Sequence, residues 1–169
     1  LGDTNKAVSS FQTCVEQDQE YYNAYIQLGL IFAQKKNPLS LQYYNNALNI
    51  QPKSEEAHYN MGMYYMENGE LNRAIEKFTL LTQTNPSNRE AFFNLGYIHF
   101  EYLKIYDQAI KYFDQAIYSD SQFARAYLYQ GFCYEAKGNK PKAKESYSAA
   151  LKILPDYELA AESLDRLNK

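Results

Sequence analysis

Four glycines fix the frame. Gly29, Gly62, Gly96 and Gly131 follow one another at steps of 33, 34 and 35 residues. Each closes a similar string: Tyr25-Ile26-Gln27-Leu28, His58-Tyr59-Asn60-Met61, Phe92-Phe93-Asn94-Leu95 and Tyr127-Leu128-Tyr129-Gln130. A second ladder follows each glycine. It reads Tyr44, Ala47 and Pro52; then Ala74, Phe78, Leu81 and Pro86; then Ala109, Phe113 and Ala116, with Ser121 in the proline place; then Ala143, Tyr147, Ala150 and Pro155. A period of this length across 169 residues predicts an array of like units rather than one irregular core. The unequal steps predict two single-residue slips in the mid-repeat turn, one short near Lys36–Pro38 and one long near Lys104–Asp107.

Each unit carries two windows of apolar residues at helical spacing. Leu71, Ala74, Ile75, Phe78 and Leu81 form one, and Ile105, Ala109, Phe113, Ala116 and Ile117 another. Neither window can bury its stripe alone, so helix pairs must stack on helix pairs. A glycine inside a helix costs about 1 kcal/mol against alanine. Its return in four registers predicts that a Cβ does not fit there, with Ala47, Ala116 and Ala150 giving room on the partner helix. Gly2, Gly69 and Gly138 are placed to end helices in the left-handed conformation. Asp3, Asn37 and Asn139 follow as N-caps, Pro38 suits a first helical position, and Ser87 with Glu90 has capping-box spacing.

The order aromatic, Leu-Gly, aromatic, Ala, Phe/Tyr, Ala, Pro at this period resembles the tetratricopeptide repeat family over essentially the whole chain. Tyr25, His58, Phe92 and Tyr127 stand where that family usually carries Trp. The resemblance implies an all-α fold: a right-handed superhelical solenoid of antiparallel helix pairs with a C-terminal capping helix. The chain then divides into the second helix of a truncated repeat at 1–20, repeats at 21–54, 55–88, 89–123 and 124–155, and a capping helix at 156–169. Ala7, Val8, Phe11, Cys14 and Val15 make the stripe of the first segment; Tyr157, Ala160, Ala161, Leu164 and Leu167 make that of the last.

Composition narrows the function. A net charge of −3 argues against a nucleic-acid partner, which needs a concentrated basic face. No apolar run approaches a membrane span, so no direct membrane insertion is expected of this region. Cys14 and Cys133 are too few for a disulfide framework and lack metal-ligand spacing. His58 and His99 fall at packing positions. No zinc-protease, phosphate-loop or nucleophile motif occurs. No catalytic residue, cofactor or metal site is therefore expected, and the chain does not read as an enzyme.

The resemblance implies that the first helices line a concave groove that holds a peptide or helix of another protein. The residues expected there are Ile26 and Leu30; Glu56, Tyr59, Asn60, Met63 and Met66; Glu90, Phe93, Asn94, Tyr97, Phe100 and Glu101; Leu128 and Phe132. Their aromatic and Met bulk exceeds what contact between neighbouring helices needs, which favours an exposed apolar binding patch. Asn60 and Asn94 fall one unit apart, where some long members of the family hold a peptide backbone; Gln27 and Tyr129 leave that ladder incomplete. Members that bind chaperone tails clamp a carboxylate with Lys, Arg and Asn. Ile26, Leu30, Asn60, Glu90 and Asn94 hold those places here, so no such clamp is expected. The glutamates predict a partner with apolar anchors and basic flanks. The function expected is that of a scaffold or adaptor. The alternative is a recruiting or regulatory region of a larger enzyme or cell-envelope assembly complex, and the open N-terminal segment suggests self-association.

Overall fold

The first helix of every pair stops at a residue with left-handed backbone: Lys36 (φ 51°), Gly69 (φ 77°), Lys104 (φ 56°) and Gly138 (φ 73°). Beyond it the chain turns back. The next amide donates to a carbonyl five residues earlier, Asn37 to Phe32 (2.9 Å), Glu70 to Tyr65 (2.8 Å) and Asn139 to Tyr134 (2.9 Å), which satisfies the frayed helix end.

The computed structural model describes residues 2–169, with side chains from Thr4 onward. Among them are α1 (Gly2–Gln17), α2 (Tyr22–Gln34), α3 (Leu39–Ile50), α4 (Glu55–Glu67), α5 (Leu71–Thr84), α6 (Arg89–Tyr97), α7 (Tyr106–Ser119), α8 (Ala124–Ala136), α9 (Lys140–Ile153) and α10 (Glu158–Asn168). A π turn, Ile98–Tyr102, continues α6. The chain forms two compact units, 1–77 and 78–169, whose boundary falls inside α5. In the first unit α2 packs against α1, α3 and α4; in the second, α7 packs against α6 and α8, and α9 against α8 and α10.

The glycine register has a more specific cause than close backbones. A Cβ on Gly96 would meet Cε1 of Phe113 at 2.7 Å, and Gly29 and Gly131 stand in the same relation to Tyr44 and Tyr147. An aromatic ring of the second helix lies on the bare backbone of the first. Ala47, Ala116 and Ala150 are fully buried as expected, but the rings occupy the space at these glycines.

The extra residue of the 35-residue step is also placed differently from the expectation. It lies in the first helix, not in the turn: the π turn takes it up, Leu103 donating to Ile98 (3.1 Å) and Ile105 reaching six residues back to His99 (2.8 Å). A π turn is the form an α-helix takes when one residue is added without breaking its ends.

The caps are partly as predicted. The Asn139 side chain accepts from the Lys142 amide (3.2 Å) and Asn37 from Leu39 (3.0 Å), with Pro38 directly before α3. Asn88, rather than Ser87, caps α6 by accepting from Ala91 (2.9 Å). Ser54 does the same for α4 (3.1 Å to Ala57). The cap expected of Asp3 lies outside the described side chains. At the other end α10 buries Ala160 and Ser163, with Leu164 and Leu167 packed against the Leu128, Tyr147 and Ala150 cluster.

Candidate protein-interaction faces

A first helix packed on several sides keeps only a narrow open strip. In the first unit that strip brings Leu30, Asn60 and Met63 together. With Ala33, Gln34, Tyr44, Tyr64 and Glu67 they line a pocket of about 150 Å³ between α2 and α4. Tyr59 is half-buried but does not line that pocket, and Glu56 is exposed and accepts the Tyr22 hydroxyl at 3.2 Å. Ile26 and Met66 correct the expectation. They are 1% and 8% exposed, because these positions turn off the open strip and into the packing around the first helices.

In the second unit the open strip is aromatic. Tyr97, Phe100, Tyr129 and Phe132 are half-buried and touch one another: Tyr97–Tyr129 at 5.5 Å between ring centroids, Phe100–Tyr129 at 5.9 Å, Phe100–Phe132 at 6.1 Å and Tyr129–Phe132 at 5.5 Å. Phe93 is buried beneath, within 5.5 Å of Phe113 and 5.3 Å of Tyr129, with the Arg125 guanidinium 4.0 Å over its ring. Leu128 is fully buried with Ala143, Tyr147 and Ala160, and Asn94 is buried too. Phe93, Asn94 and Leu128 are therefore core residues of the helix pairs and offer no open face. Sequence reasoning missed Tyr102 and Tyr106, which flank the patch at 6.1 Å from Tyr97 and from Phe100. The 35-residue step was the signal that could have found Tyr102.

The acids of this strip carry their own cations. Arg125 bonds Glu90 at 2.7 Å, Lys104 stands 3.7 Å from Glu101, and Arg166 bonds Glu135 at 2.9 Å. Glu135 also accepts the Tyr147 hydroxyl at 2.7 Å. Burial raises the Glu135 carboxyl, but the Arg166 and Tyr147 hydrogen bonds outweigh it and hold the group below the usual glutamate range. Much of the acidity expected to select basic flanks is thus matched within the second unit. Glu56 and Glu67 remain exposed in the first.

The other titratable candidates are structural. Burial pushes the Cys133 thiol up to about 12, leaving it an inert apolar residue. His99 is buried, its Nδ1 2.8 Å from the Leu95 carbonyl, and burial lowers the His58 imidazole below its ordinary value. Among the described residues no group of His, Cys, Asp and Glu could hold a metal ion, and no helix is long and apolar enough to cross a membrane.

Comparison with known proteins agrees with this architecture. Family models described as TPR repeat or tetratricopeptide repeat match residues 32–69, 59–101, 90–122 and 124–157. The small glutamine-rich tetratricopeptide repeat-containing protein 2 of Saccharomyces cerevisiae is 35% identical over 101 residues, which is 60% of this chain and 28% of that protein. The UDP-N-acetylglucosamine–peptide N-acetylglucosaminyltransferase of Giardia intestinalis is 32% identical over 94 residues, 55% of this chain and 6% of the transferase. The chain thus spans less than a third of the length of either relative. The crystal structure of YrrB, described as a TPR protein with an unusual peptide-binding site, superposes with a TM-score of 0.73 at 22% identity, over 97% of this chain and 84% of that one. Matched repeat by repeat and alike in fold, the chain belongs to the tetratricopeptide repeat family.

Proposed function

We propose that this chain, a protein-interaction scaffold, seats apolar anchors of a partner protein on the aromatic strip of its second unit, at Tyr97, Phe100, Tyr129 and Phe132. One observation carries the reading. These rings are only half-buried although buried Phe93 and Phe113 already complete the packing beneath them, so the strip is bulk beyond what the helix pair needs. The pocket at Leu30, Asn60 and Met63 is a smaller second seat on the first unit. The YrrB structure, a protein of this fold with a peptide-binding site, supports a peptide-like partner. The transferase match covers 6% of that enzyme and lends this chain no catalytic role.

A random peptide library displayed on phage tests this. Selection on the wild-type chain should enrich peptides with apolar residues at regular spacing. Those peptides should lose at least about tenfold in affinity for the Tyr97→Ala/Phe132→Ala variant, with its helical circular dichroism retained. Selected peptides that bind both proteins equally place the site elsewhere.

A further inference from the structure

The π turn also sets which side chains share a face. In an α-helix residues five apart stand about 140° from one another around the axis. The π turn brings such a pair onto one side: the rings of Tyr97 and Tyr102 lie 6.1 Å apart at 81°, and Tyr102 is 46% exposed. The result is a run of phenols with Phe100 among them, for Tyr97 also meets Tyr129 edge-on at 74°, and Phe100 meets Tyr129 at 85°. Beside it Phe100, Lys104, Tyr106, Phe132, Glu135 and Arg166 line a hollow of about 450 Å³.

Charge then narrows the occupant. Glu90, Glu101 and Glu135 each stand beside a cation of this chain, so the patch calls for no charged group from its guest. It offers aromatic faces and O–H donors side by side. A helical guest has its carbonyls bonded internally and would leave the phenol donors unanswered. A polyproline II segment has no internal hydrogen bonds, so its carbonyls are open to the phenols while its pyrrolidine rings lie on the aromatic faces. It is also ordered before it binds, which lowers the entropy cost of docking.

We propose that the patch formed by Tyr97, Phe100, Tyr102 and Tyr129 is a docking site for an uncharged, proline-rich extended segment of a partner protein. This rests on reading the first-helix strip as the binding face.

Titration of the whole chain with an uncharged polyproline peptide of about ten residues, beside a Leu-bearing amphipathic peptide of about 20 residues, long enough to be helical in water, tests it by nuclear magnetic resonance. The polyproline should shift the ring signals of Tyr97, Tyr102 and Tyr129. Tyr102→Ala should weaken it about tenfold and Tyr102→Phe, which keeps the ring, by less; Tyr118→Ala, at an 88% exposed site on α7, should change nothing. Circular dichroism confirms that each variant is folded. If the polyproline leaves those rings unmoved, or binds Tyr102→Ala as well as wild type, the inference is overturned. If the helical peptide alone moves them, the inference falls while the proposed face stands. If neither peptide binds, the inference falls and the library selection judges the face.

Discussion

The ring of Phe113 lies on Gly96 so closely that a methyl group there would meet Cε1 at 2.7 Å. Phe113 is fully buried and has nowhere to retreat. Gly96→Ala gains about 1 kcal/mol in helix propensity but overpacks the pair by up to about 3 kcal/mol. A net loss of about 2 kcal/mol is expected. A urea titration checks it, and an unchanged midpoint would mean that the ring moves aside freely. Phe113→Leu in the same chain should recover part of the loss.

Lys36 holds φ at 51°, where Gly138 holds 73° in the equivalent turn. A side chain in that region costs roughly 1–2 kcal/mol. Lys36→Gly should therefore stabilise the chain by about 1 kcal/mol, read as a rise in thermal midpoint. Gly138→Lys should lower it by a similar amount.

Deleting Glu101 from the π turn restores the common spacing between Gly96 and Lys104. The helices on either side keep their caps, so far-UV circular dichroism should be unchanged and stability should stay within about 1 kcal/mol of wild type. Tyr97 and Tyr102 then stand four apart, the α-helical spacing at which side chains share a face, so their contact, 6.1 Å in the native chain, should persist while the Glu101–Lys104 pair is lost.

Glu135 ties three helices together: it lies on α8, accepts the Tyr147 hydroxyl of α9 at 2.7 Å and pairs with Arg166 of α10 at 2.9 Å. Its carboxyl is depressed in the folded chain, so it binds a proton more readily when unfolded. The stability it adds is fully present above the ordinary glutamate range and is lost as pH falls through its lowered folded value. Tyr147→Phe removes a hydrogen bond to a charged acceptor and should cost about 1.5–3 kcal/mol at neutral pH. Denaturant titrations at descending pH should show the gap from wild type narrowing in acid.

The glycine ladder made the helix pairs legible, because a costly residue repeated at one spacing has few explanations. What the ladder left open was the identity of the neighbour: whether backbone or ring excludes the Cβ depends on a rotamer, and Tyr44, Phe113 and Tyr147 settle it as ring. The step from Gly96 to Gly131 announced one extra residue, yet a turn and a helix can each absorb one, and only the carbonyl six residues behind Ile105 shows which did. Among the groove residues, periodicity grouped Ile26, Phe93 and Leu128 with Leu30, Tyr97 and Phe132. It could not tell which apolar positions are shielded on several sides, and the first three proved to be core. The ion pair of Glu90 with Arg125, 35 residues apart, follows the repeat register and could have been found by pairing charges one unit apart.

Hydrogen exchange decides whether a partner binds on the aromatic first-helix strip of the second unit. Amide exchange of the chain, alone and saturated with a library-selected peptide, should slow across 97–106 and 125–136, while 111–119 of α7 keeps its free rate. Protection confined to α7 and α9, with the first helices unchanged, would place the partner elsewhere.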